Sequence, residues 1–266
     1  MKSVIRIIGF LLFVYVVILL LVSQLKIQQA LIPDCVDGFE LVIGSSDHFH
    51  QRQWEFNDFS RSFCSSYYSQ EQVSQDCAGR REKLDLDEQD YEEFWGEVYL
   101  QLARDSRGYI DFIVDSLGLI AEQEQLSRSE IAELVVTFVQ DIPYSFIIGS
   151  DCESFETDGK PCLGNVALGI LSPYEFVHSL YGDCDTRSVF LYAVLKEMEF
   201  DPMIVISYEY AHAMLALNVP ASGDYLIYNR NKYYFWETTG KGWPIGLLPP
   251  STGNIGYWKI ALVDEF

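Results

Sequence analysis

The chain reads as an α+β protein, and two observations predict that class. Apolar residues recur at helical spacing over Tyr91 to Leu102, Tyr109 to Ala121 and Ser129 to Asp141, and again after Cys184; past residue 200 the period becomes that of strands. A helical first part followed by a strand-rich second part makes a helix layer packed on a mainly antiparallel sheet. The 240 residues after Lys26 are enough to bury a sizeable core.

The elements follow in order. After the short segment 1–6, which holds Lys2 and Arg6, residues Ile7 to Leu25 carry no charge and are almost all apolar. Such a run is long enough to span a bilayer as a helix. The two cations ahead of it favour a cytoplasmic amino terminus, with everything after Lys26 on the extracytoplasmic, periplasmic side. A cleaved signal peptide would have a shorter apolar core and a small-x-small cleavage site, and Val22-Ser23-Gln24-Leu25-Lys26 is a poor one. An uncleaved signal-anchor, hence a single-pass membrane protein, is the expectation. Leu31 to Gln53 is irregular with short strands, and Trp54-Glu55-Phe56-Asn57-Asp58-Phe59 reads as a strand and turn leading into a helix. The polar run Ser60 to Asp90 reads as a mobile insertion or a helical, substrate-facing element. The helix over 129–141 has its start signal at Ser127 or Ser129 and stops before Pro143. Strands are expected at Met203–Ile206, Ala213–Val219, Tyr225–Tyr228, Tyr233–Trp236 and Tyr257–Val263. The domain reading is an amino-terminal helical region over 26–126 and a second domain over 127–266.

The chemistry concentrates at Tyr181-Gly182-Asp183-Cys184-Asp185-Thr186-Arg187, a glycine-punctuated turn directly before the unbroken apolar run Ser188 to Met198. Asp183 reads as the N-cap and Cys184 falls in the first helical turn, where free backbone N–H groups favour a thiolate. Asp183 and Asp185 oppose that ionisation, and Arg187 reads as their neutralising partner. Downstream, His212 lies in the strand-like Ala211-His212-Ala213-Met214-Leu215-Ala216-Leu217 and Glu237 in Tyr233-Tyr234-Phe235-Trp236-Glu237-Thr238-Thr239-Gly240. Imidazole can take a thiol proton and return it to a leaving group, while a carboxylate on its other nitrogen fixes tautomer and orientation. The chain has four histidines, at 48, 50, 178 and 212; His178, just before the turn, is the alternative base. Gln140 is the candidate oxyanion donor. Trp236 reads either as a shield over the site or as a core aromatic.

A Gly-Asp-Cys turn opening a helix, a His-Ala strand and an acid-x-Thr strand together resemble the transglutaminase-like superfamily of papain-related cysteine enzymes. The resemblance covers roughly Ser127 to Trp243, and the segment Val135 to Tyr144 is similar to the helix and tyrosine turn that precede the nucleophile in such domains. It implies a papain-like fold with Cys184, His212 and Glu237 as the catalytic residues. It also implies proteases and acyl transferases alike. The family usually has aspartate where this chain has Glu237, so the strand must sit slightly further back for the same hydrogen bond. The expected function is a cysteine-dependent amide hydrolase or acyl transferase working through a thioester, most simply a peptidase; the alternative is an inactive binding domain that keeps the fold.

Thirty-nine acidic against 18 basic residues, a net charge of −21, exclude nucleic acid as a partner. The partners expected are a peptide or protein amide of the cell envelope and the membrane. Six cysteines in an exported chain invite disulfides; reserving Cys184 leaves Cys35, Cys64, Cys77, Cys152 and Cys162, so at least one other is free or intermolecular. Cys152 and Cys162, bracketing Asp158-Gly159-Lys160, are the plausible pair. No cysteine–histidine spacing matches a structural zinc site, and neither metal nor cofactor is expected.

Overall fold

Alternation builds the first sheet. Strands β1 (Gly38–Glu40), β2 (His48–Glu55) and β3 (Ser62–Ser69) form an antiparallel meander, and in β3 every second residue (Phe63, Ser65, Tyr67, Ser69) is buried. The computed structural model describes residues 38–40, 47–86, 90–154 and 156–263. The expected signal-anchor over 7–25, the segment 1–6 and Cys35 lie outside the described residues. Among the described residues no helix is long and apolar enough to cross a membrane.

The turn after Trp54 therefore leads into strand β3, not into the helix expected there, and Ser60 to Asp90 contributes strand β3 and helix α1 (Glu71–Arg81) to the fold. Two of the four buried positions of β3 carry serine, which removes the apolar signal; Ser65 is hydrogen-bonded to Ser116 and Ser69 to His178. Helices α2 (Tyr91–Ser106), α3 (Asp111–Gln123) and α4 (Arg128–Gln140) follow where the spacing puts them. Ser127 caps α4 in a reciprocal box with Glu130. A short parallel pair, β4 (Phe146–Ile147) and β5 (Cys162–Leu163), precedes α5 (Pro173–Ser179) and α6 (Cys184–Glu197).

The main sheet holds β6 (Pro202–Ser207), β7 (His212–Leu217), β8 (Tyr225–Tyr228), β9 (Asn231–Trp236) and β10 (Lys259–Val263), all antiparallel, in the order β10-β6-β7-β9-β8. Its period-2 pattern buries both faces. Ile204, Ile206, Leu215, Leu217 and Trp236 face the helices, whereas Met203, Val205, Met214, Ala216 and Phe235 join Leu248 and Trp258 on the other side. Helix α6 is buried on all sides from Thr186 to Leu195, as a helix enclosed by other elements must be. It packs on β6 and β7 and against α2, α4 and α5. The helix-side core runs without interruption from Trp54 to Leu262, across residue 126.

Candidate active site

The nucleophile turn is set by three local features. Leu180 closes α5 in a left-handed conformation (φ 57°), Asp183 caps α6 by accepting from the Thr186 amide at 3.0 Å, and a Cβ at Gly182 would press into the Phe176 ring. Cys184 is thus the first residue of α6, a residue 7% exposed. Cys152 and Cys162 form a disulfide, Cys64 is disulfide-bonded as well, and Cys77 and Cys184 are free.

His212 is the first residue of β7, and Glu237 is the first residue past β9. Because the β7–β9 register sets Leu215 opposite Trp236, the chain beyond Trp236 runs back beside the start of β7. There His212 Nε2–H donates to Glu237 Oε2 at 2.9 Å. The other carboxylate oxygen of Glu237 accepts from the amides of Thr238 and Thr239 and from the Thr239 hydroxyl, at 2.9, 2.8 and 2.6 Å. Burial alone would raise the Glu237 carboxyl; the hydrogen bond and charge of His212 and the Thr239 donors reverse this and hold it at about 2. Glu237 itself stands one residue beyond the strand. Its carboxylate orients the ring and leaves Nδ1 as the proton acceptor.

The thiol's surroundings differ from the sequence expectation. Burial pushes Cys184 well above the usual thiol range, and Asp185 and Asp183 push it further; only the Ala213 amide pulls the other way. Cys184 Sγ–H donates to Asp185 Oδ2 at 3.3 Å, and the buried Tyr99 hydroxyl donates to Asp185 Oδ1. Asp183 is itself raised, by burial and then by Asp185. Burial and the two aspartates thus both favour the neutral thiol over the thiolate.

Arg187 does not neutralise these aspartates through a hydrogen-bonded pair. Its guanidinium, fully buried, donates to the carbonyls of Gly182, Val139, Thr238 and Ile142 at 3.0, 3.2, 3.2 and 2.7 Å. One side chain thereby ties together the nucleophile turn, the end of α4 and the loop carrying Glu237. Gln140 is likewise committed to structure: its amide nitrogen donates to the carbonyls of Glu237 and Trp243 at 2.6 and 2.9 Å, so both N–H bonds are spent and neither is offered to an oxyanion. Trp236 is a core aromatic, 2% exposed, whose Nε1 also donates to Trp243 O. His178 lies in α5 with its two nitrogens on Ser69 and Glu71, away from Glu237.

Four further residues belong to the site, and of these only Tyr144, in the tyrosine turn, carried a motif in the sequence. Trp258 sets its ring 5.9 Å from that of His212. Tyr91 and Tyr144 have hydroxyls raised by burial first and then by neighbouring acidic groups, Asp185 and Cys184 at Tyr91 and Cys184, Asp183 and Asp185 at Tyr144, which places both rings near the thiol. Tyr99 is the fourth. Aromatic residues are common in any core, and only tertiary contacts distinguish these. No protein-family model, curated protein or solved structure matches this chain.

Proposed function

We propose that this protein is a cysteine-dependent amide hydrolase or acyl transferase of the transglutaminase-like kind, held by a signal-anchor over 7–25 with its catalytic part on the periplasmic side. Its substrate is a peptide or protein amide of the cell envelope. The observation that carries the reading is the 2.9 Å His212–Glu237 pair together with a thiol at a helix N-terminus near the amide of Ala213, the residue directly after His212.

The raised thiol assigns His212 the part of a general base acting during attack. Sγ adds to the amide carbon as the thiol proton passes to Nδ1 of His212, and Glu237 stabilises the imidazolium. The Cys184 backbone N–H, which at a helix start has no intrahelical acceptor, faces the developing oxyanion. Collapse expels the amine, which takes the proton from His212 and leaves a thioester on Cys184. Water attacks next and gives its proton to His212; the C–S bond breaks, Sγ takes that proton back from His212, and the acid is released. Water is the default acceptor, so hydrolysis is favoured over transfer to an amine.

A second reading, a binding domain without turnover, draws on the near-complete burial of Cys184 and on Asp185 holding its proton. To separate the two, the full-length protein is incubated with a mixed library of peptide amides, quenched in acid and mapped by mass spectrometry. The enzyme reading expects an acyl adduct on Cys184, and turnover reduced at least ~100-fold in Cys184→Ala and His212→Ala with circular dichroism unchanged. Turnover equal in wild type and both variants sinks it. Peptides retained by wild type and Cys184→Ala without any turnover establish the binding domain instead.

A further inference from the structure

Three of the four histidines stand together, apart from the His212–Glu237 pair. His48 and His178 stack face to face with ring centroids 4.2 Å apart, and His50 meets His48 edge-on at 5.6 Å. Glu71, the first residue of α1, reaches the same place, its Oε2 2.9 Å from His178 Nε2. One ligand atom from each of His48, Glu71 and His178 lies within 4.8 Å of the others.

We propose that His48, Glu71 and His178 form a binding site for a divalent transition-metal ion, with Zn2+ the best match to two imidazoles and one carboxylate. Three such ligands with water in the fourth position satisfy tetrahedral zinc, whose bonds of ~2.0–2.2 Å require donor atoms roughly 3.3 Å apart. The Glu71–His178 separation is already near that value, and His48, a ligand atom of which lies within 4.8 Å of theirs, reaches the ion by turning its ring out of the parallel stack with His178.

The surrounding contacts prepare the donors. His178 Nδ1 is 2.9 Å from the Ser69 hydroxyl, so with its proton on Nδ1 this ring presents Nε2 as a lone pair. His48 Nδ1–H donates to the His178 carbonyl at 3.0 Å, which leaves Nε2 of His48 unprotonated. His50 Nε2 donates to that same carbonyl, also at 3.0 Å, and so fixes the backbone of the ligand-bearing turn without being a ligand. The two helices that supply Glu71 and His178 are locked by a buried fork, Arg81 Nε and Nη2 on the Glu175 carboxylate at 3.1 and 2.9 Å. His178 is buried, while His48 and Glu71 are half-buried, which gives an ion a path from solvent. The ligands come from β2, α1 and α5, so an ion would clamp these elements six residues before Cys184. Separations of 130 residues between His48 and His178 and 107 between Glu71 and His178 explain why no sequence spacing discloses the site.

The full-length protein, stripped with chelator, is titrated with ZnCl2 by calorimetry, and its melting temperature is recorded with and without the ion. The expected result is one ion per chain, a rise in melting temperature reversed by chelator, and affinity weakened at least ~100-fold in Glu71→Gln and His48→Asn. Metal-free melting of each variant checks its fold, and His50→Asn, which alters no ligand, keeps affinity within about tenfold of wild type. Absence of stoichiometric binding overturns the proposal. So does binding that survives in Glu71→Gln and His48→Asn but is lost in Cys184→Ser, which would assign the ion to the thiol site.

Discussion

At the residue scale, Glu237 and Cys184 are displaced in opposite directions, and each displacement has a consequence. Glu237 has a folded pKa of about 2 against an ordinary 4.5, so its bonded carboxylate contributes stability at pH values above the ordinary one and loses that contribution as pH falls from about 5 towards 2. The difference corresponds to about 3 kcal/mol. Urea unfolding of wild type and Glu237→Gln across that range is expected to show the variant's deficit at neutral pH shrinking in acid; a deficit independent of pH would refute the assignment. Cys184 is displaced upward, in part by Asp185. Iodoacetamide should therefore label it slowly at neutral pH, and Asp185→Asn should move the labelling profile to lower pH. An unchanged profile would mean that Asp185 does not control the thiol. His212, Glu237 and Cys184 stood out in the sequence because their types and order match one chemistry, whereas Arg187 suggested charge neutralisation and instead binds four carbonyls. Charge complementarity can be read along a chain; the open carbonyls at the end of α4 cannot.

At the scale of elements, Arg187 and the helix glycines give separable predictions. Arg187→Met would leave the carbonyls of Gly182, Val139, Ile142 and Thr238 buried without that donor, and a loss of at least about 3 kcal/mol in unfolding free energy is expected. A Cβ at Gly96 in α2 would collide with the Ala261 carbonyl in β10, whereas one at Gly118 in α3 meets nothing within 4 Å. Gly96→Ala should then cost about 1–3 kcal/mol and Gly118→Ala should stabilise by about 0.5–1 kcal/mol, both read from denaturant midpoints. Helices α2, α3, α4 and α6 and all five strands of the main sheet were legible, since long periodic runs of apolar residues set their own faces. Strand β3 was not, because serines occupy Ser65 and Ser69 and their burial is satisfied by hydroxyl partners. Helix α5 was within reach: Ser172-Pro173-Tyr174-Glu175 spells a capping box with proline at the first turn, and the structure shows both halves of that box.

For the whole molecule, a charge of −21 means that the folded state works against its own repulsion. Raising ionic strength at neutral pH should increase the melting temperature of the full-length protein, and a melting temperature that falls with salt would show that ion pairs such as Arg52–Asp141 and Arg81–Glu175 outweigh the net field. The sheet order has a different consequence, in time. Strand β10 pairs with β6 on the outer edge of the main sheet, and α2, whose Tyr99 holds Asp185 beside the thiol, rests on β10 at Gly96 and Ala261. A ribosome delivers α2 and the nucleophile helix well before it delivers the surface on which α2 is seated, and closing so long a loop is slow. The nascent protein accordingly carries its thiol through synthesis before the strand that seats α2 exists, and Tyr99 gains its full support only when residues 259–263 are in place.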